Sequence, residues 1–166
     1  MSCQLTQGYS FDCRNNVGGI KKVYIASRDD IDDITIASGV VSAVSFAQNQ
    51  FYTYDLTRES SNFSETVNTN VQNGTTFFAQ SLEIVLNKLQ VNTRNEIILL
   101  GQNRLCIVVE DNNGKYWMLG FKNGIDLTGG GSASGTAYGD RNGYTLTFTG
   151  SENELAPEVN ASVLLP

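Results

Sequence analysis

The chain has 166 residues, 40% of them hydrophobic, with 17 acidic and 11 basic side chains and no histidine. That length fits one domain spanning residues 1–166, able to bury roughly 70% of its unfolded surface without metals or disulfides. A formal charge of −6 leaves no basic footprint for gripping phosphates, and the missing histidine removes Ser-His-Asp and Cys-His catalysis together with His-ligated metals.

Met1–Ser10 lacks a basic start followed by an apolar run, so no secretory signal is expected. No stretch approaches the roughly 20 apolar residues of a membrane helix, and no membrane partner is expected. The odd cysteine count (Cys3, Cys13, Cys106) argues for free thiols; Cys3 and Cys13 would meet only if the N-terminal segment formed a hairpin. The sequons at Asn62, Asn73 and Asn160 then read as chance matches in an Asn- and Thr-rich chain.

Gly8 to Gly19 carries turn residues and leads into Ile20–Ala26, a β run by its β-branched and aromatic content. Asp29, Asp30, Asp32 and Asp33 read as a solvated acidic loop in preference to a calcium loop. Gly39–Ala47 shows the alternation of a half-buried strand, and Phe51–Leu56 continues the sheet. Asn62–Asn68 reads as a short strand, and Asn73-Gly74 as a turn. Thr76–Leu89 follows, roughly twice the usual strand length of about 5–6 residues. A strand that long runs through a large barrel or protrudes toward a neighbour.

The one helix is expected over about 93–102. Thr93-Arg-Asn-Glu96 fits a capping box, Ile97 to Leu100 supply its apolar side, and Gly101 or Asn103 ends it. Leu105–Asp111 and Lys115–Phe121 flank Asn112-Asn-Gly114, a hairpin signal. Gly129, Gly130, Gly131, Ser132, Ala133, Ser134 and Gly135 open a glycine-rich stretch to Gly139 that reads as a flexible contact loop between subunits. In Tyr144–Thr149, Tyr144, Leu146 and Phe148 share one face and Thr145, Thr147 and Thr149 the other, so one face enters a core and the other meets water.

Other chemistry was sought in this pattern. No serine precedes any lysine by three residues, which removes the Ser-x-x-Lys nucleophile. Gly130 and Gly135 have P-loop spacing, but Thr136 stands where the lysine belongs. Asp111–Lys115 lacks the distal glutamate of a calcium loop. No cofactor, metal or catalytic residue is assigned, and no enzyme is expected. Trp117 and Tyr116, with the acidic loop, leave open a carbohydrate-binding β-sandwich.

Phe63-Ser-Glu-Thr66, Asn73–Leu86, Thr93–Gly101, the hairpin at Asn113-Gly114 and Gly135–Gly150 occur in an order that resembles phage virion proteins, most of all the major tail tube proteins of long-tailed phages. Gly18–Ile25 is similar to the starts of structural proteins from phages infecting Bacteroidota. The resemblance covers most of the chain and rests on the order of elements, with no single diagnostic motif. It implies a mainly β fold, a β-sandwich or partial barrel with one short flanking helix and long inter-subunit strands or loops. It further implies hexameric rings that stack into a tube in the virion after assembly in the host cytoplasm. The implied partners are copies of the chain and other tail or head–tail proteins, with DNA passing through without specific binding. Glu65, Glu83 and Glu110 are the candidate lumen-facing carboxylates. A tail terminator, a head–tail connector and a capsid decoration protein are the neighbouring readings.

Overall fold

The computed structural model describes residues 3–164. The strands are β1 (Ile20–Ser27), β2 (Ile31–Ala37), β3 (Val40–Phe46), β4 (Tyr52–Asp55), β5 (Asn62–Asn70) and β6 (Thr75–Asn87). They continue with β7 (Leu105–Asp111), β8 (Tyr116–Leu119), β9 (Asp126–Ala133), β10 (Gly143–Glu152) and β11 (Glu158–Val159); the one α-helix, α1, is Val91–Gln102. They form two sheets, seven strands in the order β2-β3-β11-β8-β7-β1-β4 and four in the order β5-β6-β10-β9.

The sheets face each other as a β-sandwich. Val23, Ile25, Ile107, Val109 and Leu119 from the larger sheet meet Leu82, Ile84, Leu146 and Phe148 from the smaller, and all are nearly or fully buried. Alternation decides which side chains enter: Leu146 and Phe148 go in while Thr145, Thr147 and Thr149 stay half-exposed on the other face. Removing a large side chain such as Phe148 from this layer would cost about 3–5 kcal/mol.

The larger sheet is also covered on its outer face. Its β2–β3 hairpin curls round so that Ile31 and Val41 pack with Cys106, Val108 and Met118. This explains why every residue from Leu105 to Glu110 is buried: β7 has a core on both sides. Among the described residues the outer face of the smaller sheet carries no second hydrophobic cluster; Glu83 on it is exposed and the threonines half-exposed, while Val85 is covered.

Three local expectations are corrected. Asp29 and Asp30 lie in a 3-10 turn, but Asp32 and Asp33 belong to β2, an edge strand whose solvent face accepts carboxylates. The helix starts at Val91 after Gln90, whose carbonyl accepts from Arg94 N at 2.9 Å; Thr93 is inside the helix and forms no cap. Gly129–Ala133 is strand, paired to β10 from Gly143↔Ala133 to Thr147↔Gly129. The hairpin connection is only the stretch from Ser134 to Asn142.

Glycine is required inside β9 by crowding. Gly130 sits at φ +123°, where a Cβ would lie 2.1 Å from Thr145 O. A glycine run that reads as a loop is in this case a close backbone approach. α1 is not long and apolar enough to cross a membrane, nor is any other helix among the described residues.

Candidate functional site

The outer face of the four-stranded sheet is built by the period of its strands. Asn62, Ser64 and Thr66 of β5 lie beside Ser81 and Glu83 of β6, then Thr145, Thr147 and Thr149 of β10, then Gly129 and Asp126 of β9. Register places Asn62, Glu83, Thr147 and Gly129 in one row across all four strands. The hydroxyls are tied down: Thr149 Oγ1 donates to Thr128 Oγ1 at 3.0 Å, and Thr128 Oγ1 to Thr147 O at 3.5 Å. The result is a flat, hydroxyl- and amide-rich surface. None of the four strands contains a lysine or arginine.

Both edges of this sheet are open. Among the described residues β5, with nine residues, pairs only with β6, and β9, with eight, only with β10. Two long free edges on one small sheet are a template for adding further strands.

The three candidate carboxylates do not share this face. Glu83 is exposed on it. Glu65 points inward, where its Oε2 accepts from Gln80 Nε2 at 3.1 Å and Ala156 N at 2.9 Å, while Gln80 Oε1 accepts from Gly120 N. That buried network ties the two sheets together, and it consumes Glu65. Glu110 lies on the outer face of the larger sheet, buried beside Tyr24 and paired to Lys21 Nζ at 3.0 Å. Burial first, and then the Glu110 charge, push the Tyr24 phenol up to about 12. The Glu110 bond in turn raises Lys21. Counting acidic residues in β segments cannot say which face each one takes, and Asp126, on the open face, was passed over for that reason.

Of the glycine-rich candidates, Gly129, Gly130, Gly131, Ser132 and Ala133 are in β9, while Ser134 and Gly135 begin the connection. That connection is organised by Asp140, whose carboxylate accepts from Thr136 N and Ala137 N at 2.9 and 2.8 Å. The Ala137 and Thr136 N–H groups hold Asp140 below the usual carboxylate range.

The other candidate chemistries find no site. Trp117 is half-buried against the core, with its Nε1 donating to Asp111 Oδ2 at 3.1 Å. Among the described residues no cluster of three or more Cys, Asp or Glu side chains is arranged to hold a metal ion. All three cysteines are free; burial pushes the Cys106 thiol up to about 12, which leaves it inert.

Comparison of the chain with protein-family models, with curated proteins and with solved structures found no match.

Proposed function

We propose that this chain is a virion structural subunit of the phage tail tube type, whose copies join edge to edge into rings and stack into a conduit for DNA. One observation carries the reading: a four-stranded sheet with two open edges, buried on one face and hydroxylated on the other, whose strands hold no lysine or arginine. The free edge of β5 in one copy matches the free edge of β9 in the next in length, so the pairing repeats from copy to copy, and a ring forms where the rotation between copies closes. Six copies would give a barrel of about 24 strands. At a spacing of about 4.8 Å and a tilt of about 40°, its diameter is roughly 48 Å, wide enough for a duplex to pass.

The open face then lines the lumen. Its hydroxyls and amides keep it wet, and Glu83 and Asp126 repel phosphates, so DNA slides without the counterion release that makes it bind. Binding to DNA is therefore expected to be negligible even at low salt. The partners are copies of the chain and the tail or head–tail proteins at the two ends of the tube, in a virion assembled in the host cytoplasm.

Sedimentation of the purified protein over rising concentration tests this reading. Rings or polymers are expected. A monomer that persists at high concentration, and that no virion partner recruits, would remove it.

A further inference from the structure

The N-terminal arm, residues 3–19, is exposed at every position. Its sequence nevertheless has the pattern of a strand. Cys3, Leu5, Tyr9, Phe11, Cys13 and Val17 take odd positions, interrupted by Gln7 and Asn15, while Gln4, Thr6, Ser10, Asp12, Arg14 and Asn16 fill even ones. Period two with one apolar face is the signature of a strand covered on that face. In the single chain that face is uncovered: Leu5 is 100% and Tyr9 89% exposed. The base of the arm is fixed to the β7–β8 turn, where Asn113 Nδ2 donates to Val17 O at 2.9 Å and Asn112 Nδ2 to Gly18 O at 2.7 Å.

An acceptor of matching chemistry lies alongside β1. The larger sheet stops at β4, whose outer edge has no strand beside it among the described residues. Leu56 N donates to Lys21 O at 3.1 Å, so alternation along the β1–β4 ladder turns the main-chain groups of Thr53 and Asp55 toward that open edge. Beside it is a groove of about 770 Å³ walled by Tyr52, Tyr54, Leu99 and Leu100, with Asp30 and Glu96 also lining it. Tyr52 and Leu99 are about half-exposed, at 53% and 50%.

We propose that the arm of one copy adds to β4 of a second copy as a further strand, seating Tyr9 and Phe11 in this groove. The inference rests on the chain being a self-assembling subunit. The arm leaves β1 at Ile20, whereas the groove lies at the other end of the strand, beside Ile25, Ala26 and Ser27. A contact of that kind joins unlike surfaces head to tail, and like the β5–β9 contact it closes into a ring or runs on as a stack according to the rotation between copies. With the β5 and β9 edges assigned to ring closure, the arm contact is left to link successive rings. Main-chain pairing at β4 supplies affinity and the groove selects the aromatic pair. Arg14, the arm's one basic side chain, follows the docked segment toward the groove's carboxylates.

A peptide of residues 3–15, with serine at both cysteine positions, is titrated into protein lacking residues 1–14. The arm is exposed, so its removal is expected to leave circular dichroism and thermal unfolding unchanged. Saturable binding is expected, weakened about tenfold or more by Leu99→Glu in the protein or by Tyr9→Asp with Phe11→Asp in the peptide. The arm-deleted protein is expected to stop at single rings. Absence of peptide binding to folded arm-deleted protein would overturn the inference, as would binding that Leu99→Glu leaves unchanged. Protection of residues 5–11 from hydrogen exchange in dilute monomer would show the arm in its own groove and would overturn the second copy. Tubes formed without peptide binding remove the arm contact alone. Peptide binding with no tubes from the full chain upholds the contact and removes the tube.

Discussion

Beneath the Lys122–Gly124 turn, Glu152 is only 1% exposed, and its Oε1 accepts from Asn123 N at 2.8 Å and Lys122 N at 3.3 Å. Its Oε2 has no hydrogen-bond partner among the described residues. Burial raises this carboxyl above the ordinary 4.5, and the turn's N–H groups only partly offset that rise. A folded-state value above the unfolded one contributes stability that is complete below 4.5 and is lost as pH rises through the raised value. Glu152→Gln keeps an oxygen for the turn and removes the titration. The variant is therefore expected to gain on the wild type as pH climbs from about 4 to about 8, read as denaturant midpoints at each pH. A constant difference across that range would assign the burial cost to something other than ionisation. Glu65 and Gln80 show the opposite arrangement: both are inward-facing, and both are held by hydrogen bonds that join the sheets.

At the scale of elements, β9 makes the sharpest claim, because two adjacent glycines differ in what they tolerate. At Gly130 a Cβ meets Thr145 O at 2.1 Å with φ at +123°, whereas at Gly131 nothing lies within 4 Å. Gly130→Ala is expected to cost about 1–3 kcal/mol or more in urea unfolding, and Gly131→Ala close to nothing. Equal effects would mean that β9 is not held against β10 as described. This strand also shows where sequence reading stops. Asn112-Asn-Gly114 and Asn73-Gly74 announce their hairpins because Gly114 and Gly74 adopt positive φ, and the long β6 announces itself by composition. β9 hides because glycine is a poor strand former except where the neighbouring backbone is too close for a side chain. β2 hides because Asp32 and Asp33 lie on an exposed strand near the sheet's edge. The helix begins two residues before the apparent capping box at Thr93, since Gln90 leaves the strand extended and its carbonyl takes the first bond. The open face was half legible: alternation in Tyr144–Thr149 gave the threonine side, but only strand register brings Glu83 and Asp126 onto it and sends Glu65 and Glu110 elsewhere.

For the whole molecule, the division of labour between sheets is the main point. The larger sheet is buried on both faces along β7, while the smaller leaves one face and, among the described residues, two strand edges uncovered, which the proposal assigns to assembly. Strands without lysine or arginine make a charge test of the proposed lumen natural. Thr147→Lys together with Glu83→Lys places two positive charges per subunit in one row of the open face, where the register sets these residues side by side. Assembly is expected to survive, and the tubes are expected to retain DNA at low salt and release it as salt rises. Unchanged indifference to DNA would put this face outside the lumen. The most direct measurement is electron-microscopic reconstruction of the assembled protein at a resolution that separates strands. The account predicts tubes whose inner wall is the four-stranded sheet, β5 of each copy paired to β9 of the next and Glu83 and Thr147 facing the channel. A wall made by the seven-stranded sheet, or particles that never join through β5 and β9, would contradict it.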